Sequence, residues 1–242
     1  MSKTLVTFLL DETGSMQSIK DDTIGGFNSY LGTLKGADGE ILFTLLKFDS
    51  NRVEKVCVGR PLAEVAELTD ATYQPGASTP LYDAAVKAIK ATEEVAAKDP
   101  AAKVIVVIQT DGHENASLVY KQADLAALVK EKTAAGWQFV FLGAGIDAYA
   151  TGSALGLQGS NTMSYARGSS VQAFAGLAAS NARYAATGDA ASLRFTAAEK
   201  AAAGDGTAAA SSKPQPTPTV AARPAAATSA RPSLVDDINL VA

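Results

Sequence analysis

The sequence predicts a three-layer α/β sandwich: a mostly parallel central sheet with one antiparallel edge strand, and helices on both faces. Two nearly continuous hydrophobic runs, Leu5-Val6-Thr7-Phe8-Leu9-Leu10 and Val104-Ile105-Val106-Val107-Ile108, read as parallel strands covered on both sides. A sheet with one wet face would alternate apolar and polar residues instead. Between such runs, apolar residues recur at helical spacing. Strand candidates over 41–48 and 53–58 are joined by the turn residues Asp49-Ser50-Asn51, a link that allows only a hairpin, so one of the two is the antiparallel edge.

Taken in order, the first strand runs into Asp11, and a helix over 19–34 follows with Phe27, Tyr30, Leu31 and Leu34 on one stripe. After the hairpin, Leu81, Ala85 and Ile89 mark a second helix, and the run at 104–108 is the next strand. Leu125, Leu128 and Val129 mark a third helix, and Phe139-Val140-Phe141-Leu142 another strand. Met163 and Tyr165 read as a last short strand, and Val171, Phe174 and Leu177 as the stripe of a closing helix. The crossovers of such a fold are right-handed. Gly143-Ala144-Gly145 follows a strand but lacks the third glycine and the acidic partner of a dinucleotide loop, so it reads as a turn. No internal repeat is visible.

After about Thr187 the chain turns rich in Ala, Thr, Ser and Pro, as in Lys213-Pro214-Gln215-Pro216-Thr217-Pro218-Thr219. A folded domain over 1–186 and a flexible tail over 187–242 are expected, because the tail has little large apolar surface to offset its ordering entropy. A short helix over 197–203 interrupts it, with Thr196 as cap and Glu199 three residues on. The last stretch, 233–242, regains hydrophobics around Asp236 and Asp237 and reads as either a frayed terminus or a docking peptide.

Composition narrows the function. One cysteine, Cys57, excludes an internal disulfide and a thiolate zinc site, and it fits a reducing compartment. One histidine, His113, excludes multi-histidine metal and hydrolase sites. A net charge of −4 argues against nucleic acid, which demands clustered Lys and Arg. The apolar run before Asp11 is too short for a signal peptide or a membrane span.

What remains is oxygen chemistry at the carboxyl ends of the strands, where ligands of such folds sit. Asp11-Glu12-Thr13-Gly14-Ser15-Met16 follows the first strand. In a locally extended loop Asp11, Thr13 and Ser15 point the same way and offer a carboxylate and two hydroxyls. Gly76-Ala77-Ser78-Thr79-Pro80-Leu81 is a second oxygen source, and Thr110-Asp111-Gly112 a third. Hydroxyl and carboxylate oxygens suit hard cations: Mg²⁺, or Mn²⁺ or Ca²⁺.

The set Asp11-x-Thr13-x-Ser15, Thr79 and Asp111-Gly112 resembles the metal ion-dependent adhesion site of von Willebrand factor A domains, in element order and intervals alike. The resemblance covers about residues 4–184 and extends to Asp21-Asp22-Thr23-Ile24-Gly25-Gly26-Phe27-Asn28, which looks like the bacterial and bacteriophage branch. It implies a Rossmann-like fold, metal contacts from the hydroxyls of Thr13, Ser15 and Thr79, and Asp11 and Asp111 acting directly or through water. The family more often has Ser where this chain has Thr13, and either hydroxyl can ligate. It also implies a cytoplasmic protein, or a virion-associated one if phage-encoded. Such a protein would bind a partner that supplies a carboxylate, as an adaptor to an AAA+ ATPase or in a phage or stress-response assembly. In the family the last helix can slide when the site changes ligand, which makes residues 171–184 the candidate moving part.

Single residues also have simpler roles. Asp11 and Thr79 suit helix caps, with Pro80 at a first helical position. Asp83 suits a first-turn acid favoured by the helix dipole, Glu12 a solvent-facing acid beside the site, and Cys57 a small core hydrophobe. His113-Glu114-Asn115 reads as a solvated or locally bonded loop rather than a catalytic trio. Rival functions are a scaffold or virion component that assembles through its tail, with Asp236 or Asp237 ligating a neighbouring copy's metal, and a Mg²⁺-dependent phosphohydrolase of the haloacid dehalogenase type. The last needs a second Asp two positions after its nucleophile; here that position is Thr13.

Overall fold

The computed structural model describes residues 3–206. Its centre is a six-stranded sheet of order β3-β2-β1-β4-β5-β6, built from β1 (Thr4–Asp11), β2 (Ile41–Phe48), β3 (Val53–Pro61), β4 (Lys103–Thr110), β5 (Gln138–Ala144) and β6 (Thr162–Tyr165). Every neighbouring pair is parallel except β2–β3, the expected hairpin.

All eight residues of β1 are buried, and their alternation feeds two cores. Val6, Phe8 and Leu10 face the core under α1 (Lys20–Lys35) and α5 (Ser170–Thr187), while Leu5 and Leu9 face the core under α2 (Leu81–Ala96), α3 (Gln122–Ala134) and α4 (Ala148–Ala154). Thr7 would leave an orphan hydroxyl in the second core, but its Oγ1 lies 2.7 Å from that of Thr92 on α2. On the other face Phe8 stacks on Phe174 at 5.7 Å and meets Phe27 edge-on at 5.3 Å. These rings fasten α1 and α5 to the strand that ends at Asp11.

The expected boundary at 187 does not hold. Residues 190–206 pack back onto the body: Leu193 and Ala203 are fully buried and Phe195 nearly so, all in the α1–α5 core. The expected short helix is present as α6 (Ala197–Ala202), with Thr196 and Glu199 forming its capping box and Arg183 on α5 pairing with Glu199 at 2.6 Å. A small-residue composition concealed a few large apolar side chains that suffice to dock this segment. Residues 207–242, including the docking-peptide candidate 233–242 with Asp236 and Asp237, lie outside the described residues. Among the described residues no helix is long and apolar enough to cross a membrane.

The chain leaves β1 toward β2 and β3 on one side and returns to β4 on the other. The loops after β1 and β4 therefore diverge and leave a crevice at the carboxyl edge of the sheet.

Candidate metal centre

Asp11 closes β1 inside that crevice, fully buried. One carboxylate oxygen accepts the Thr13 amide at 2.7 Å, the other the Thr110 hydroxyl at 2.5 Å. The buried Tyr73 hydroxyl donates to the Asp11 carbonyl at 2.6 Å, which pins the backbone where the strand ends. Thr13 is extended, at φ −79° and ψ 167°, but the chain then enters a 3-10 turn, Gly14–Ile19. The extended stretch thus ends sooner than expected, and the turn swings Ser15 round to the same point.

There the oxygens meet in one chain of contacts. Thr13 Oγ1 lies 3.3 Å from Ser15 Oγ, and Thr79 donates to Thr13 Oγ1 at 3.3 Å. Ser15 Oγ donates to Asp111 Oδ1 at 2.5 Å. Adjacent ligand oxygens on an octahedral cation stand about 2.9 Å apart for Mg²⁺ and roughly 3.3–3.7 Å apart for Ca²⁺, so the hydroxyl spacing has the scale of a hard-cation shell. The Gly14 amide donates to the Ala77 carbonyl at 3.0 Å, and the Gly76 amide to the Glu12 carbonyl at 2.9 Å, lacing the first two loops together. Gly112 has a steric reason to lack a side chain: a Cβ there would stand 3.1 Å from Thr79 Oγ1 and 3.4 Å from Ser15 Oγ.

All five expected residues, Asp11, Thr13, Ser15, Thr79 and Asp111, are thus gathered at one place. Among the described residues no group of three or more His, Cys, Asp or Glu side chains could hold a metal. Any cation site here is therefore a mixed hydroxyl and carboxylate one, which is the donor set that Mg²⁺, Mn²⁺ or Ca²⁺ accepts.

The two carboxylates are poorly compensated. Burial pushes Asp11 up to about 6, against the lowering effect of its bonds from Thr110 and Thr13. Burial also raises Asp111, opposed by Ser15 and the Arg167 guanidinium, which reaches Asp111 Oδ2 at 2.8 Å. A divalent ion would supply what both lack.

Several neighbours differ from expectation. Glu12 does not face solvent: it is 2% exposed, pairs with Lys47 at 3.0 Å and accepts the Gln74 amide at 2.7 Å. Lys47, one cation in the apolar strand β2, was the sequence sign of that buried partner. Thr79 makes no cap for α2. Its amide bonds Asn115 Oδ1 at 2.8 Å, and the helix start is served by the loop after β4, where Glu114 Oε2 accepts the Tyr82 amide and Ser117 Oγ accepts the amides of Tyr82 and Asp83. Asp83 accepts the amides of Leu118, Val119 and Tyr120, so it holds that loop as well as suiting the helix dipole. Glu114 and Asn115 are thus structural, and His113 is exposed. Cys57 is half-buried against the core, as expected, and burial raises its thiol. Tyr73 and Arg167 carried no sequence signal, whereas Thr110 stood in the third oxygen source beside Asp111 and bonds Asp11 instead.

The structure aligns over 75% of its length with a von Willebrand factor type A protein from Catenulispora acidiphila, with a TM-score of 0.54 and 13% identity. The fold is that of a von Willebrand factor A domain. Proximal thread matrix protein 1 from the mussel byssus is also similar, with a TM-score of 0.51 and 13% identity over 79% of this chain. The chain spans less than half of either relative, 43% and 46%. At such identities the likeness concerns the von Willebrand A fold alone. No family model and no curated protein matches the sequence.

Proposed function

We propose that this von Willebrand A domain is a divalent-metal-dependent protein-binding module rather than an enzyme, taking an acidic residue of a partner protein at the crevice between β1 and β4. The observation that supports it is the chain of contacts that runs from Thr79 through Thr13 and Ser15 to Asp111 at the carboxyl edge of the sheet, with the buried Asp11 bonded to the Thr13 amide beside it. Thr13, Ser15 and Thr79 would hold the cation through neutral oxygens, and Asp11 and Asp111 would balance its charge. A cation so held offers a Lewis-acidic position to one further oxygen. Five direct carboxylates would quench that attraction, whereas two leave it intact. Ser15 is exposed while Asp11, Thr13 and Thr79 are buried, so a ligand approaches from the Ser15 side. Thr13 stands where a phosphohydrolase of the haloacid dehalogenase type needs its second Asp, which favours binding over phosphoryl transfer.

A cytoplasmic or virion-associated adaptor role, beside an AAA+ ATPase or in a phage or stress-response assembly, is the setting we propose for it. The test is co-purification from host extract in Mg²⁺ and in EDTA, with Asp11→Ala as control. Partners lost in EDTA and in the variant support the proposal; partners retained equally in all three contradict it.

A further inference from the structure

We propose that Arg167 is a built-in competitor of the metal: its guanidinium holds the outer oxygen of Asp111, and it would have to let go for a divalent ion to draw on that carboxylate. The proposal rests on the metal-site reading above.

Arg167 lies in the turn between β6 and α5, and three separate features place its side chain. One guanidinium nitrogen pairs with Asp111 Oδ2 at 2.8 Å and the other donates to Ser18 Oγ at 2.5 Å. The aliphatic stem crosses Gly145, where a Cβ would stand 3.1 Å from both Cγ and Nε of Arg167. Gly145 has φ +65°, and its amide donates to the Tyr165 carbonyl at 2.8 Å, which ties this cradle to the strand that leads to Arg167. The planar fork thus bridges the loop after β1 and the loop after β4, the same two loops that a metal would bridge.

Charge makes the two occupants antagonists. The site holds two carboxylates, Asp11 and Asp111, and among the described residues Arg167 is the cation in ion-pair contact with Asp111. It relieves the mutual repulsion and keeps the loops together. If Arg167 stayed after a divalent ion bound, the site would carry one net positive charge at short range; once Arg167 withdraws, ion and carboxylates balance. With its side chain 44% exposed, the guanidinium has solvent to withdraw into. The contact to Ser18 is what makes Arg167 a clamp rather than a loose counter-ion.

The test is Mn²⁺ titration, followed by the paramagnetic signal of the free ion, of the full chain and its Arg167→Ala and Ser18→Ala variants, with Asp11→Ala as site control. We expect Arg167→Ala to bind Mn²⁺ about tenfold more tightly or better. Ser18→Ala changes no charge and loosens only the clamp, so it should gain roughly two- to threefold. Equal or weaker binding by Arg167→Ala would mean that the arginine merely orders Asp111, and would overturn the proposal. Tighter binding by Arg167→Ala with Ser18→Ala unchanged would reduce the effect to bare charge repulsion and overturn the clamp. If neither the parent chain nor Arg167→Ala binds Mn²⁺, the metal-site reading itself fails, a result distinct from the other two.

Discussion

Asp11 and Asp83 are both buried carboxylates at the same edge of the sheet, yet the protein treats them oppositely. Burial works against ionisation in each, but around Asp83 the amides of Leu118, Tyr120 and Val119 win and hold the carboxyl below its usual range. Around Asp11 one amide and the hydroxyls of Thr110 and Thr13 do not suffice, and it rises to about 6. An amide N–H has a fixed direction and only donates, so a carboxylate ringed by amides is finished and serves as a structural staple. A hydroxyl turns, and can present its lone pair to a cation instead. The difference separates an acid that builds the fold from one that suits the proposed metal site.

Paired substitutions separate the two acids. Asp11→Asn should weaken divalent-ion binding by about 100-fold or more. It should leave metal-free stability unchanged or raise it by roughly 1 kcal/mol, since a buried, under-compensated charge is removed. Asp83→Ala should do the reverse, costing about 2–4 kcal/mol in denaturant unfolding as three amides lose their acceptor, with metal affinity altered by roughly threefold at most. Equal loss of both properties in both variants would erase the distinction.

The pH dependence sharpens it. A folded carboxyl raised above its unfolded value takes up its proton earlier on acidification. On Asp11's account, metal-free stability therefore rises as pH falls from about 7 to about 4, then levels off. Metal binding needs the carboxylate, so the thermal shift produced by Mg²⁺ should be largest near pH 8 and nearly gone by about pH 5. Calorimetry with and without Mg²⁺ checks both signs, and Asp11→Asn should flatten both. The smallest effect concerns Gly112→Ala, whose methyl crowds Thr79 Oγ1 and Ser15 Oγ. A roughly three- to tenfold loss of affinity with the fold intact is expected.

How much of this the residues disclosed in advance follows the same physics. Strands β1 and β4 were legible because burial on both faces demands unbroken apolar runs, and the hairpin because its link is short. Asp11, Thr13, Ser15, Thr79 and Asp111 stood out as oxygen donors beside strand ends and a helix start, and as a set through the resemblance of their order and intervals to the von Willebrand A adhesion site. Arg167 did not, since it meets Asp111 across 56 positions, and the burial of Glu12 was signalled only by its partner Lys47, 35 positions away in an apolar strand. Leu193 and Phe195 gave too thin a signal, because composition averages away the few side chains that dock a segment.

In the proposed site three hydroxyls, rather than a carboxylate cluster, hold the cation. The most direct measurement is a crystal structure with Mn²⁺, read by anomalous scattering. We predict one strong peak within about 2.5 Å of the Thr13, Ser15 and Thr79 hydroxyl oxygens. A map with no peak there, or with Mn²⁺ only on surface carboxylates, would mean that these hydroxyls hold no cation.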